Sequence, residues 1–288
     1  LHDEDQNGHY EQLTISGTGA MTDFNAPDDV PWKAYLDDIT SVIVQSGVTH
    51  IGAQAFCLCQ YLTSVSLSEG LTSIGRSAFR YCYRLSALVV PASVESVGSN
   101  SFEKLALSVS GGTLTFASGS RLTSVGNDAF YYAHASVDMS ACTSLTSVPK
   151  AFQSFDKDVT FPHSLTSIAA KCFDGYGSED AKVYVHVPDN YVLTVNDVTI
   201  SATNGKADIT SNIEVGTAHS AVTLSCIPNP THFSQSGDGS YTIHTATGWN
   251  IFCGILNDYA KGYFTGKTVT LGDNISKSSR YLTVKQAS

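Results

Sequence analysis

The sequence predicts a repeat solenoid, mostly β with short helical and turn segments, followed by a smaller mainly-β domain with one amphipathic helix. Three observations predict it. One phenylalanine recurs at Phe56, Phe79, Phe102, Phe130, Phe152 and Phe173, in steps of 23, 23, 28, 22 and 21 residues. A short alternating apolar run stands before each of them. After Val187 the repeat stops, while alternating runs continue. A fixed period in this range marks stacked supersecondary units, none of which buries its apolar face alone.

In chain order, residues 1–38 read as an arm and a cap. Leu1–Gly8 reads as a solvated arm, left where a leader was removed or was not included in the chain. Leu13-Thr14-Ile15 forms a strand, Gly17 and Gly19 allow a tight turn, and Trp32 is placed to cover the open end of the stack. The carboxylates Asp28-Asp29 and Asp37-Asp38 lack the spacing of a cation loop and read as solvated.

Residues 39–187 are the repeats, and Leu62–Arg84 (LTSVSLSEGLTSIGRSAFRYCYR) is the fullest unit. Val42-Ile43-Val44, Val65-Ser66-Leu67, Leu88-Val89-Val90, Leu114-Thr115-Phe116, Val137-Asp138-Met139, Val159-Thr160-Phe161 and Val183–Val187 alternate as strands with first and third residues inward. A turn follows, then an apolar anchor with a bend residue: Ile51-Gly52, Ile74-Gly75, Val97-Gly98, Val125-Gly126, Val148-Pro149. The long step before Phe130 holds Ser108–Arg121, extra length expected on one face as a loop or widened corner. This pattern resembles the BspA-like (Treponema pallidum type) leucine-rich repeat of bacterial surface proteins, so the solenoid is expected to be of the leucine-rich-repeat type. That resemblance implies an exported chain, extracellular or at the cell surface in association with an outer membrane.

Residues 188–288 read as the second domain, with strands at Tyr191–Val195, Val198–Ser201, Ala221–Cys226, Thr231–Phe233, Tyr241–His244 and Lys267–Leu271, and a turn over Ser236–Tyr241. Trp249, Phe252, Cys253, Leu256 and Tyr259 share one helical face, with Thr247 as N-cap. The stretch from Gly248 is similar to the opening of GLUG-type or β-helix regions in large Bacteroides-like surface proteins, which implies a piece of a longer chain.

Composition limits the partners. With 42% hydrophobic and 15% charged residues the chain folds, and its formal charge of −10 disfavours nucleic acid or an anionic membrane. No apolar run is long enough to span a bilayer, so direct membrane insertion is not expected. Seven cysteines do not make a disulfide framework. Cys59, Cys82 and Cys142 each stand three before a leucine and are expected at one recurring buried position, whereas Cys226 and Cys253 could pair. No catalytic or metal motif is present, no cofactor is called for, and the nine histidines are scattered.

Two surfaces remain. The outward strand positions Ile43, Ser66, Val89, Thr115, Asp138, Thr160, Tyr184 and His186 form a neutral ladder with Tyr184 as its one aromatic platform. Between the phenylalanine and the next strand lie Tyr61, Arg80, Tyr81, Tyr83, Arg84, Tyr131, Tyr132 and His134, the residue types of protein-binding hot spots, although such rings also serve to close a corner. The expected function is non-enzymatic binding of an extracellular protein or glycan, adhesion in the terms of the family resemblance. The alternative is a structural stalk or accessory module of a larger secreted protein, a peptidase or glycan-processing enzyme with its catalytic part outside this chain.

Overall fold

The computed structural model describes residues 11–85, 87–105, 112–175, 181–189, 191–213, 220–229, 233–235, 241–243 and 269–271. The chain divides into two compact units, Leu1–Pro188 with Leu193–Cys226, and Asp189–Val192 with Ile227–Ser288.

In the first unit each coil has three sides. The first side is a parallel ladder. Gln12–Ile15 pairs with Ser41–Val44, which pairs with Ser64–Leu67. A second sheet then runs through Leu88–Val90, Thr113–Phe116, Ser136–Asp138, Val159–Phe161 and Val183–His186. Val65 and Leu67, beside the join of these two sheets, are half-buried, whereas their equivalents Val42, Val44, Leu88 and Val90 are buried. The second side is a narrower ladder of Gly19–Ala20, Val48–Ile51, Ser73–Ile74, Ser96–Val97 and Ser124–Val125, with Ser147–Val148 and Ser167–Ile168 paired further on.

The bend residues of that side also meet a packing requirement. A Cβ on Gly75 would meet Ala53 N at 2.6 Å, and one on Gly98 would meet Arg76 N at 2.7 Å. These glycines let the backbones of adjacent coils touch.

The third side is the one no alternation predicts. Residues two before and two after the phenylalanine take positive φ: Gln54 and Leu58, Ser77 and Tyr81, Asn100 and Lys104, Asp128 and Tyr132. Each such non-glycine residue costs about 1–2 kcal/mol. Hydrogen bonds between coils offset it. Gln54, Phe56 and Leu58 donate N–H to Arg76, Ala78 and Arg80 carbonyls at 2.9 Å each, and the pattern repeats from Ser77, Phe79 and Tyr81 to Ser99, Ser101 and Glu103.

Inside, the recurring phenylalanines form a continuous stack. Ring centroids are 5.2, 5.8, 5.5, 4.6 and 5.5 Å apart from Phe56 to Phe173, with interplanar angles between 7° and 28°. Trp32 extends it at the N-terminal end, 6.0 Å from Phe56, and its Nε1 donates to Ala55 O at 2.9 Å. Asp28 and Asp29 lie in a single 3-10 turn, Pro27–Asp29, where Asp29 accepts from Ala26 N at 3.0 Å.

The far end is closed by antiparallel strands. Lys206–Asp208 pairs with Val183–His186, and Val222 and Thr223 pair with Ile168 and Ser167. Two hairpins bring these strands round. Asn196 and Asn204 lead their turns with positive φ, followed by Asp197 and Gly205. The short helix Thr210–Ile213 buries Ile213. In the second unit Phe233–Gln235 pairs antiparallel with Tyr241–Ile243, which pairs parallel with Val269–Leu271. The expected helix around Trp249–Tyr259 lies outside the described residues.

The expected single cysteine position is corrected. Cys59 and Cys82 follow their phenylalanines on the third side, but Cys142 stands at the corner entering the second ladder, before Ser147–Val148. The C-x-x-L pattern is shared because every corner ends in an apolar residue just before a strand. Burial pushes the Cys59, Cys142 and Cys172 thiols up to about 12, and Cys82 also well up. Cys226 is half-buried, and Cys253 lies outside the described residues.

Candidate functional site

Coil register, counted from each phenylalanine, shows what the corner assembles. Two positions on come Leu58, Tyr81, Lys104 and Tyr132 in successive coils. One position on come Cys57, Arg80, Glu103 and Tyr131, and five positions on come Tyr61 and Arg84.

These columns interact across coils. Lys104 Nζ sits between the Tyr81 and Tyr132 rings, 5.1 and 5.7 Å from their centroids. Arg80 Nε lies 2.8 Å from Glu103 Oε2, its Nη2 donates to Glu103 Oε1 at 2.9 Å and to Tyr81 Oη at 3.1 Å, and its Cζ is 4.5 Å from the Tyr81 centroid. Tyr83 packs against Tyr81 at 5.8 Å, and Tyr131 meets Tyr132 edge-on at 5.0 Å. Arg84 covers Tyr61 at 4.6 Å. The cation–ring contacts contribute about 0.5–1 kcal/mol each at an exposed site, and here they order long side chains. Tyr61, Tyr83 and Tyr132 remain 41%, 36% and 38% exposed, while Tyr81 and Tyr131 are half-buried and close the corner. His134 at the margin pairs with Asp156 at 2.6 Å.

Tyr184 is not part of this group. It lies on the first ladder under Lys206, whose Nζ is 5.7 Å from its ring and 3.4 Å from Thr160 Oγ1. Thr160, expected to be exposed, is thereby 5% exposed and buried, because Lys206–Asp208 folds back across that end of the sheet. Burial first, with Asp158 and Asp208 adding, raises the Tyr184 phenol above its ordinary value.

The structure also assembles a group that the sequence did not nominate. His50 Nδ1 lies 2.7 Å from Ser73 Oγ and its Nε2 lies 3.0 Å from Asp23 Oδ1, which accepts from Ala53 N at 2.6 Å. The Ala53 N–H and His50 hold the Asp23 carboxyl below the usual range. Chemically this is a Ser-His-Asp array, but a serine nucleophile also needs oxyanion donors and a cleft. Shallow hollows of about 500 and 300 Å³ lie against Thr40, Ser41, Thr63 and Ser64, and against Gly17, Thr18, Met21 and Trp32, and none of the three residues lines either one. The array ties the cap to two coils. Only its spatial register could have revealed it, since Ala20 pairs with His50 and His50 with Ser73. Among the described residues no three His, Cys, Asp or Glu side chains gather as a metal site, and no helix is long and apolar enough to cross a membrane.

Comparison with known proteins follows the same lines. Residues 34–109 and 111–185 match the BspA type leucine-rich repeat region in six copies. No curated protein matches the chain. A leucine-rich repeat protein from Eubacterium ventriosum is similar at 22% identity over 62% of this chain and 62% of its own length, with a TM-score of 0.41. The T. pallidum leucine-rich repeat protein is similar at 19% identity over 59% of this chain and 70% of that one, TM-score 0.33. A leucine-rich cell surface protein from Faecalibacterium prausnitzii is similar at 18% identity over 82% and 54% respectively, TM-score 0.41.

Proposed function

The chain belongs to the BspA-type leucine-rich repeat family, and we propose that its solenoid is a non-enzymatic binding surface of an exported bacterial surface protein, engaging an extracellular macromolecule through the tyrosine-cation corner. One observation carries this reading: Tyr131, Tyr132, Lys104, Tyr81, Arg80 and Tyr83 form a linked set of contacts spanning three coils, on a backbone fixed by inter-coil hydrogen bonds. Aromatic rings and ordered cations held on a rigid frame lose little entropy when a partner arrives. Adhesion is the biological role we assign to it.

The test is saturable binding of the chain to an array of extracellular-matrix proteins. Tyr81→Ala with Tyr132→Ala is expected to weaken a positive interaction by more than about 1 kcal/mol. Unchanged affinity in that double variant removes the corner as the site, and no binding at all favours a stalk or accessory role.

A further inference from the structure

The charge at this corner runs against the charge of the chain. The protein carries a formal −10, yet Glu103, the acid inside the corner, is taken up by Arg80. Arg84 and Lys104 hold tyrosine rings, and neither is in the ion pairs formed among the described residues, which are His50–Asp23, Arg80–Glu103 and His134–Asp156. We infer that the occupant of the corner is a short acidic segment of another protein, lying extended along the solenoid axis. This rests on the reading of the corner as a binding surface, and it names the partner's chemistry.

Dimensions support an extended peptide. From the coil of Tyr61 to that of Tyr132 there are three coil steps, which the core rings place at 5.2, 5.8 and 5.5 Å. An extended chain rises about 3.3 Å per residue, so roughly five residues cover the corner, and side chains on one of its faces recur about every 6.6 Å. That is about 1 Å longer than one coil step. Alternate carboxylates of such a segment can reach Arg84 and Lys104, with intervening side chains against Tyr83 and Tyr132. The cations are already ordered on their rings, so binding immobilises little that is not already fixed.

The same electrostatics disfavour a long polyanion. A sulfated polysaccharide or a nucleic acid extends beyond these two cations into the field of a strongly acidic protein and is repelled there. A segment with two or three carboxylates ends before that repulsion accumulates.

The experiment is fluorescence anisotropy of the full chain with a labelled hexapeptide of alternating Asp and Ser, beside its Asn-Ser counterpart and a heparin octasaccharide. The Asp peptide is expected to bind at least about tenfold more tightly than the Asn peptide. Its affinity falls as salt rises from about 50 to 300 mM. Arg84→Glu with Lys104→Glu abolishes binding while the far-UV circular dichroism is unchanged. Equal binding of the Asn peptide, full binding by the charge-reversed variant, or binding of heparin alone overturns the inference. Failure of the underlying reading looks different. A target from the protein array that is lost in Tyr81→Ala/Tyr132→Ala but indifferent to charge reversal and salt keeps the corner and eliminates the acidic partner, whereas indifference to both sets of variants eliminates the corner itself.

Discussion

Replacing Phe79 by alanine tests whether the ring stack is what holds the coils together. Phe79 is fully buried, with Phe56 at 5.2 Å on one side and Phe102 at 5.8 Å on the other. Truncating a buried phenylalanine costs about 3–5 kcal/mol, and the amount depends on how far the surroundings collapse. Collapse is opposed here. Phe56 N donates to Ala78 O at 2.9 Å and Phe79 N to Ser101 O at 2.8 Å, so the backbone ladders keep the coil spacing and leave the cavity open. The cost belongs at the upper end, about 4–5 kcal/mol, a large share of the roughly 5–15 kcal/mol that stabilises a domain. Urea unfolding followed by circular dichroism and by tryptophan fluorescence measures it, because Trp32 stacks on Phe56 and reports on the same column. Tyr83→Ala, at an exposed ring, is the control and shifts stability by less than about 0.5 kcal/mol. A loss below about 1.5 kcal/mol for Phe79→Ala at an unchanged m-value would refute the stack as the main source of cohesion.

Gly98→Ala places a methyl group 2.7 Å from Arg76 N and 2.8 Å from Gly75 C, both backbone atoms, so the coils must separate; a cost of more than about 2 kcal/mol is expected in the same titration. Asp23 has a depressed carboxyl value, so its contribution is present above the ordinary aspartate value of 3.8 and is lost as pH falls through the lowered one. The carboxylate is largely exposed, so Asp23→Asn lowers stability at pH 7 by less than about 1 kcal/mol, and the difference narrows as pH falls below 3.8, measured by thermal melts across that range. At pH 8 the native protein should leave Cys57, raised to about 11, and Cys59 and Cys172, raised to about 12, unalkylated by iodoacetamide, while unfolded protein reacts at all three. Peptide mapping decides it, and fast labelling of any of them in the native state contradicts the buried positions.

The strands were legible because a period-two pattern is local: Val42 and Val44 point inward by the same rule that turns Ile43 outward. The phenylalanine spacing announced the coil. The hairpin at Asn204-Gly205 also carried a local signal in its turn residues, and it accounts for the strand that buries Thr160. Cys142 shows where local reading failed, since one short pattern serves at two different corners.

By itself, then, the sequence determined the repeat, its apolar interior and the set of tyrosines and cations between each phenylalanine and the next strand. Their arrangement was decided by tertiary structure. Lys104 lies between Tyr81 and Tyr132, and His50 between Ser73 and Asp23, only because residues 23 to 28 positions apart are stacked in register. The positive φ of Leu58, Tyr81 and Tyr132 is likewise set by the hydrogen bonds that neighbouring coils exchange. The physical reason is common to all of these. Side-chain periodicity follows from the geometry of one segment, whereas contacts across coils and a left-handed backbone exist only when another coil supplies the partner that offsets their cost.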